Sequence, residues 1–123
     1  MKAYALTELG ELKEAEQALK SAIALSPFNS QFLSELGYTY QAMKDCEKSI
    51  ATYDQAASMA NLASDDTTKT TDLTRAWRGE GYCLVELGNL QEAEEMYRKS
   101  LALDPKDKKS QGELAYIRGF KKQ

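Results

Sequence analysis

The chain has 123 residues but no histidine, only two cysteines, two prolines and one tryptophan, and no long apolar run. Each scarcity excludes something. Histidine is the commonest general base and metal ligand, and no Gly-rich phosphate loop, nucleophile motif or metal-ligand cluster takes its place. A non-enzyme is therefore expected, with no cofactor and no metal. Cys46 and Cys83 are too few for a disulfide framework, and their spacing fits no zinc motif. They read as reduced thiols packed as small hydrophobes, in a cytoplasmic setting. Nowhere do about 18 apolar residues run together, so no membrane-spanning helix or membrane partner is expected. The N-terminal stretch MKAYALTELGELKEAE turns acidic too early for a secretory leader.

Basic charge is also in deficit. The net charge is −3, and it is unevenly spread. Residues 1–66 carry 5 basic and 10 acidic side chains, whereas residues 67–123 carry 11 and 9. An acidic whole argues against nucleic acid, whose phosphates require a dense basic surface. The local exception (Lys106, Lys108, Lys109, Arg118, Lys121, Lys122) reads as a solvated helix face and tail.

What the chain has is a period. Tyr4, Tyr38, Tyr82 and Tyr116 are separated by 34, 44 and 34 residues. Gly10, Lys44 and Gly88 keep the first two of these steps, as do Ala15, Ser49 and Ala93, and Leu19, Tyr53 and Tyr97. A fixed period of this length marks stacked supersecondary units. Apolar spacing at the helical period predicts helices over 2–9, 12–25, 30–43, 46–61, 72–87, 90–103 and 107–120. Short turns at Gly10, Lys44 and Gly88 make antiparallel hairpins of them. Gly10 and Gly88 suit the left-handed residue that ends a helix, and Lys44 lacks that freedom, so its turn is expected to be wound differently or strained. Pro27 and Pro105 stop the second and sixth segments.

These positions resemble the tetratricopeptide repeat (TPR) family. The second repeat supplies Leu33, Leu36-Gly37, Tyr40, Ser49, Tyr53 and Ala56; the third supplies Trp77, Gly81, Leu84, Ala93, Tyr97, Ser100 and Pro105. The first begins only at its middle, with Ala3, Leu6, Ala15, Leu19, Ala22 and Pro27. The resemblance implies an all-α, right-handed superhelix (a TPR solenoid) of two and a half to three hairpins plus a capping helix. As one domain it divides into a truncated first repeat (1–29), a second repeat (30–63), an inserted loop (64–73), a third repeat (74–107) and a cap (108–123). The insertion is threonine-rich, which is poor helix material, so Thr71 or Asp72 is expected to cap the helix that follows it. Because Met1 falls inside the first hairpin's leading helix, a segment of a longer solenoid is expected, or else a clipped end that pairs with a second copy.

Small residues (Gly37, Ser49, Ala56; Gly81, Ala93, Ser100) let paired helices approach, and large ones, Trp77 among them, fill the space between pairs. Glu80 stands where Leu36 and Leu114 stand in their repeats. A buried, unpaired carboxylate is costly, so either the helix turns or Arg78 or another cation reaches it.

In this family the leading helices commonly line a concave groove that receives a peptide or helix of a partner protein. Reading their exposed faces at spacings of three and four places Ser34, Tyr38, Gln41, Arg75, Arg78, Tyr82, Lys109 and Tyr116 in that groove, with Tyr4 continuing the row of rings. Tyrosine supplies contact area with a polar tip, and paired arginines grip carboxylates or phosphates. The same rings can equally serve to pack hairpins together. Some relatives clamp a C-terminal carboxylate, and the corresponding positions here hold Tyr4, Glu35, Arg75 and Gly79. Glu35 has the wrong charge and Gly79 has no side chain, so a clamp of that kind is not expected. The expected function is a non-catalytic interaction scaffold; the alternative is a structural module that forms homo-oligomers through its incomplete N-terminal repeat.

Overall fold

The structure is a computed structural model describing residues 11–121, with side chains through Gly119. The expected helix 2–9, the Gly10 turn and Tyr4 lie outside the described residues. Among the described residues there are six helices: α1 (Leu12–Leu25), α2 (Ser30–Ala42), α3 (Cys46–Ala60), α4 (Asp66–Glu86), α5 (Leu90–Leu103) and α6 (Lys108–Lys121). Each packs on the next along the chain, and α2 also packs on α4. That last contact sets successive leading helices side by side, as stacking requires. None of these helices is long and apolar enough to cross a membrane.

Boundaries follow capping chemistry. Asn29 begins α2 by accepting from the Phe32 amide at 3.1 Å, and Asp45 begins α3 by accepting from the Lys48 amide at 3.2 Å. Both described hairpin turns close through a left-handed residue, Lys44 at φ 66° and Gly88 at φ 82°. Lys44 thus adopts the backbone that glycine favours, and the strain costs roughly 1 kcal/mol. The middle turn is strained rather than rewound.

The expected loop over 64–73 is helical from Asp66 onward. Asp65 accepts from the Thr68 amide at 2.8 Å and from its hydroxyl at 2.7 Å, which starts α4 at Asp66 and extends it to 21 residues. Threonine's helix penalty is only a few tenths of a kcal/mol per residue, and propagating an existing packed helix needs no new nucleus. Asp72 is not a cap. It is buried one and a half turns inside α4, where it accepts from the Ser30 hydroxyl at 2.6 Å.

Three apolar clusters run along the stack. Leu19, Leu36 and Tyr40 join α1 to α2; Leu33, Tyr53, Ala56, Ala57, Ala60, Leu73 and Ala76 join α2, α3 and α4; Leu84, Ala93, Tyr97, Leu114 and Ile117 join α4, α5 and α6. Small residues set the spacing: Ser49 donates to the Gly37 carbonyl at 2.7 Å in the buried seam between α2 and α3. Trp77 packs against the middle cluster, with the Lys99 ammonium 5.8 Å from its ring centre. Cys83 is buried beside Ser49 and Cys46, and burial pushes its thiol up to about 12, so it stays protonated and inert.

Candidate functional site

The leading helices α2 and α4, with α6, border two confluent hollows of approximately 460 and 540 Å³. Both are lined by Tyr38, Tyr53, Arg75, Arg78 and Lys109. The first extends to Gln31, Ser34 and Glu35 on α2. The second reaches Gln41, Gly79, Tyr82, Tyr97, Lys108, Gly112 and Glu113. Seven residues read from the sequence therefore share one surface: Ser34, Tyr38, Gln41, Arg75, Arg78, Tyr82 and Lys109.

Tyr116 departs from this surface. It lies two turns beyond Lys109 on α6, 55% exposed, and lines a separate hollow with Val85, Glu86, Gly88 and Leu90. There α6 has run on to the level of the α4–α5 turn, past the end of the groove. Of the three described rings of the expected row, Tyr38 and Tyr82 share the groove.

Two aromatic residues of the trailing helices were read as packing and also form the groove floor. Tyr53 is 4% exposed and lies between the helices that carry Gly37 and Gly79. A Cβ at Gly37 would stand 3.0 Å from the Tyr53 ring, and one at Gly79 would overlap it. Because Gly79 carries no side chain, the ring can reach the groove from below. The pairing of an aromatic position with a bare glycine in the following helix was the available signal. Tyr97 occupies the same place one repeat on, its hydroxyl donating to the Arg78 carbonyl at 3.5 Å.

The cations are held, each differently. Arg78 donates to both oxygens of Asp107, at 3.2 and 3.4 Å. Asp107 is buried, which works against its ionised form, but the Ser110 hydroxyl at 2.7 Å, Arg78 and the Lys109 amide hold its carboxyl below the usual range. Neither Glu80 nor Glu86 is the partner of Arg78. Arg75 is the more available cation, 3.9 Å from Asp72 with a half-exposed side chain. Glu80 is buried, and its Oε1 has no hydrogen-bond partner among the described residues. Burial, with Asp54 adding repulsion, raises its carboxyl to about 7, and Lys99 offsets this only in part. Among the described residues no cluster of three or more His, Cys, Asp or Glu side chains is arranged to hold a metal ion.

Comparisons with known proteins agree with this architecture. A family model described as tetratricopeptide repeat matches residues 30–106, and a second with the same description matches residues 1–29. A search of curated proteins found no match. The first TPR domain of the human RPAP3 protein superposes with a TM-score of 0.82 at 19% identity, over 96% of this chain and 85% of that one. The first TPR of Spaghetti (RPAP3), bound to an HSP90 peptide, gives 0.83 at 19% identity, over 99% and 89%. The Yersinia enterocolitica type III secretion chaperone SycD, in complex with a peptide of the translocator YopD, gives 0.78 at 22% identity, over 99% and 93%. Identities this low establish likeness of fold. With the family match covering most of the chain and an all-α stack of helical hairpins to go with it, this chain belongs to the tetratricopeptide repeat family.

Proposed function

We propose that the chain is a protein-interaction scaffold, without catalytic chemistry of its own, whose groove binds a peptide segment or helix of a partner protein. The observation that carries this reading is the confluence of two hollows lined by Arg75, Arg78, Lys109, Tyr38 and Tyr82. Aromatic rings offer contact area at small entropic cost, and arginine and lysine fix the register of a polar segment. Support also comes from the solved neighbours, several of which hold peptides in the same fold.

The test is affinity capture from native lysate with the chain and with the double variant Arg75→Ala/Tyr82→Ala. Arg78 is the worse choice, because its loss would strand the buried Asp107 carboxylate. Captured proteins should fall about tenfold or more with the double variant while helicity is unchanged. Equal capture by both chains would sink the groove assignment.

A second reading, self-association, draws on a different surface. Leu25, Phe28 and Leu62 are 87, 74 and 71% exposed, and Phe28 and Leu62 line a hollow at the α1–α2 and α3–α4 junctions. Residues 1–10 of the incomplete first repeat, where such contact was expected, lie outside the described residues. Light scattering over a concentration series separates the readings, because a strict monomer removes this one.

A further inference from the structure

We propose that Ser34 and Glu35 form a subsite that takes a lysine or arginine side chain of the bound segment, while an acidic residue of the same segment lies against Arg75 and Lys109. The proposal rests on the groove reading above and adds to it the charge pattern of the partner.

The polar groups of the groove divide into satisfied and unsatisfied ones. Arg78 is bonded to Asp107, and Tyr97 to a backbone carbonyl. Ser34 Oγ and Glu35 Oε2 have no hydrogen-bond partner among the described residues, although both atoms are buried and their residues line the smaller hollow. Ser34 is 3% exposed. Hydroxyls in helices ordinarily return to the carbonyl four residues back, as Thr39 does to Glu35, Thr52 to Lys48 and Thr74 to Thr70. Ser34 does not. Two neighbouring acceptors left without donors, on the wall of a groove, are a cost that an incoming donor removes.

Neither groove arginine bonds to these two oxygens. Arg78 is committed to Asp107 at 3.2 Å, and Arg75 leans on Asp72. Burial raises the Glu35 carboxyl, and Arg75 offsets this only through space, without an ion pair between them. A wholly acidic segment would put a carboxylate beside Glu35 and be repelled. A wholly basic one would meet Arg75 and Lys109. A segment carrying one charge of each sign satisfies both walls, and an ammonium or guanidinium brings several donors to the two orphaned oxygens. The same arrangement excludes the simple carboxylate end that a uniformly cationic groove would accept.

The experiment pans a phage-displayed random 12-residue peptide library on the chain, then measures a synthetic consensus peptide by fluorescence polarisation. Enriched peptides should pair Lys or Arg with Asp or Glu. Glu35→Gln should weaken the consensus peptide about tenfold, while a peptide with its Lys or Arg changed to Ala binds wild type and variant alike. Thermal unfolding of Glu35→Gln serves as the folding control. Enrichment without Lys or Arg, enrichment of Asn or Gln in their place, or equal weakening of both peptides overturns the subsite and leaves the groove reading standing. Undiminished binding of the consensus peptide by Arg75→Ala/Tyr82→Ala overturns the groove reading itself.

Discussion

Glu80 is the residue at which repeat pattern and chemistry part. In the neighbouring repeats the same position holds leucine and faces the core, and Glu80 is buried there too, 6% exposed and with one oxygen lacking a hydrogen-bond partner among the described residues. The sequence showed the conflict but not its outcome, because whether Arg78 would turn to Glu80 or to Asp107 depends on a contact 29 residues away along the chain. A consequence is a pH dependence of known sign. The folded carboxyl titrates near 7 and the unfolded one at its ordinary value of 4.5. Between those values the native state holds a proton that the unfolded state has released. This stabilising contribution is therefore complete below about pH 4.5 and is lost as pH rises to about 7. Glu80→Gln should raise stability at pH 8 by about 2 kcal/mol, less than the full shift implies because solvent and Lys99 screen the charge. Well below pH 4.5 the difference from wild type should vanish. Denaturant titrations at the two pH values measure it, and an equal effect at both would show that the carboxylate is not the cause.

Among the elements, the five helices from α1 to α3 and α5 to α6 were legible to within a residue or so, because apolar spacing, stop prolines and short turns agree. The start of α4 was not. Its threonines argued for a loop, whereas the outcome hung on Asp65, whose side chain satisfies two donors of Thr68. Propensity spread over several residues lost to a single cap on a helix already docked. Asp65→Ala should therefore cost about 1 kcal/mol, and amide exchange should quicken over the first two turns of α4 while α5 is unaffected. If the amides of residues 67–71 exchange as freely in the parent chain as in the variant, the extended helix is wrong. The groove was read in part for a related reason. Spacings of three and four locate residues on one helix well, but they do not say where a neighbouring helix ends, and so Tyr116 was carried one hollow too far. Tyr53 escaped because its floor position needs Gly79, which belongs to the next repeat.

At the scale of the molecule, the joint between repeats is set by that ring and the glycines around it. Gly79→Ala would push a methyl group into Tyr53, and melting should show a loss of about 1–3 kcal/mol. Gly112→Ala meets open space and should instead gain about 0.5–1 kcal/mol. If both changes act alike, helix propensity rather than the ring governs the joint. The arrangement also bears on how such a chain can be rebuilt or diversify. Since Tyr53 closes one repeat and its space is made by the next, the piece that can be transplanted intact is α3 with α4, out of phase with the 34-residue unit. Cutting and rejoining at the repeat boundaries would separate a tyrosine from its glycine, and hybrids spliced in mid-repeat should outlast those spliced at the seams.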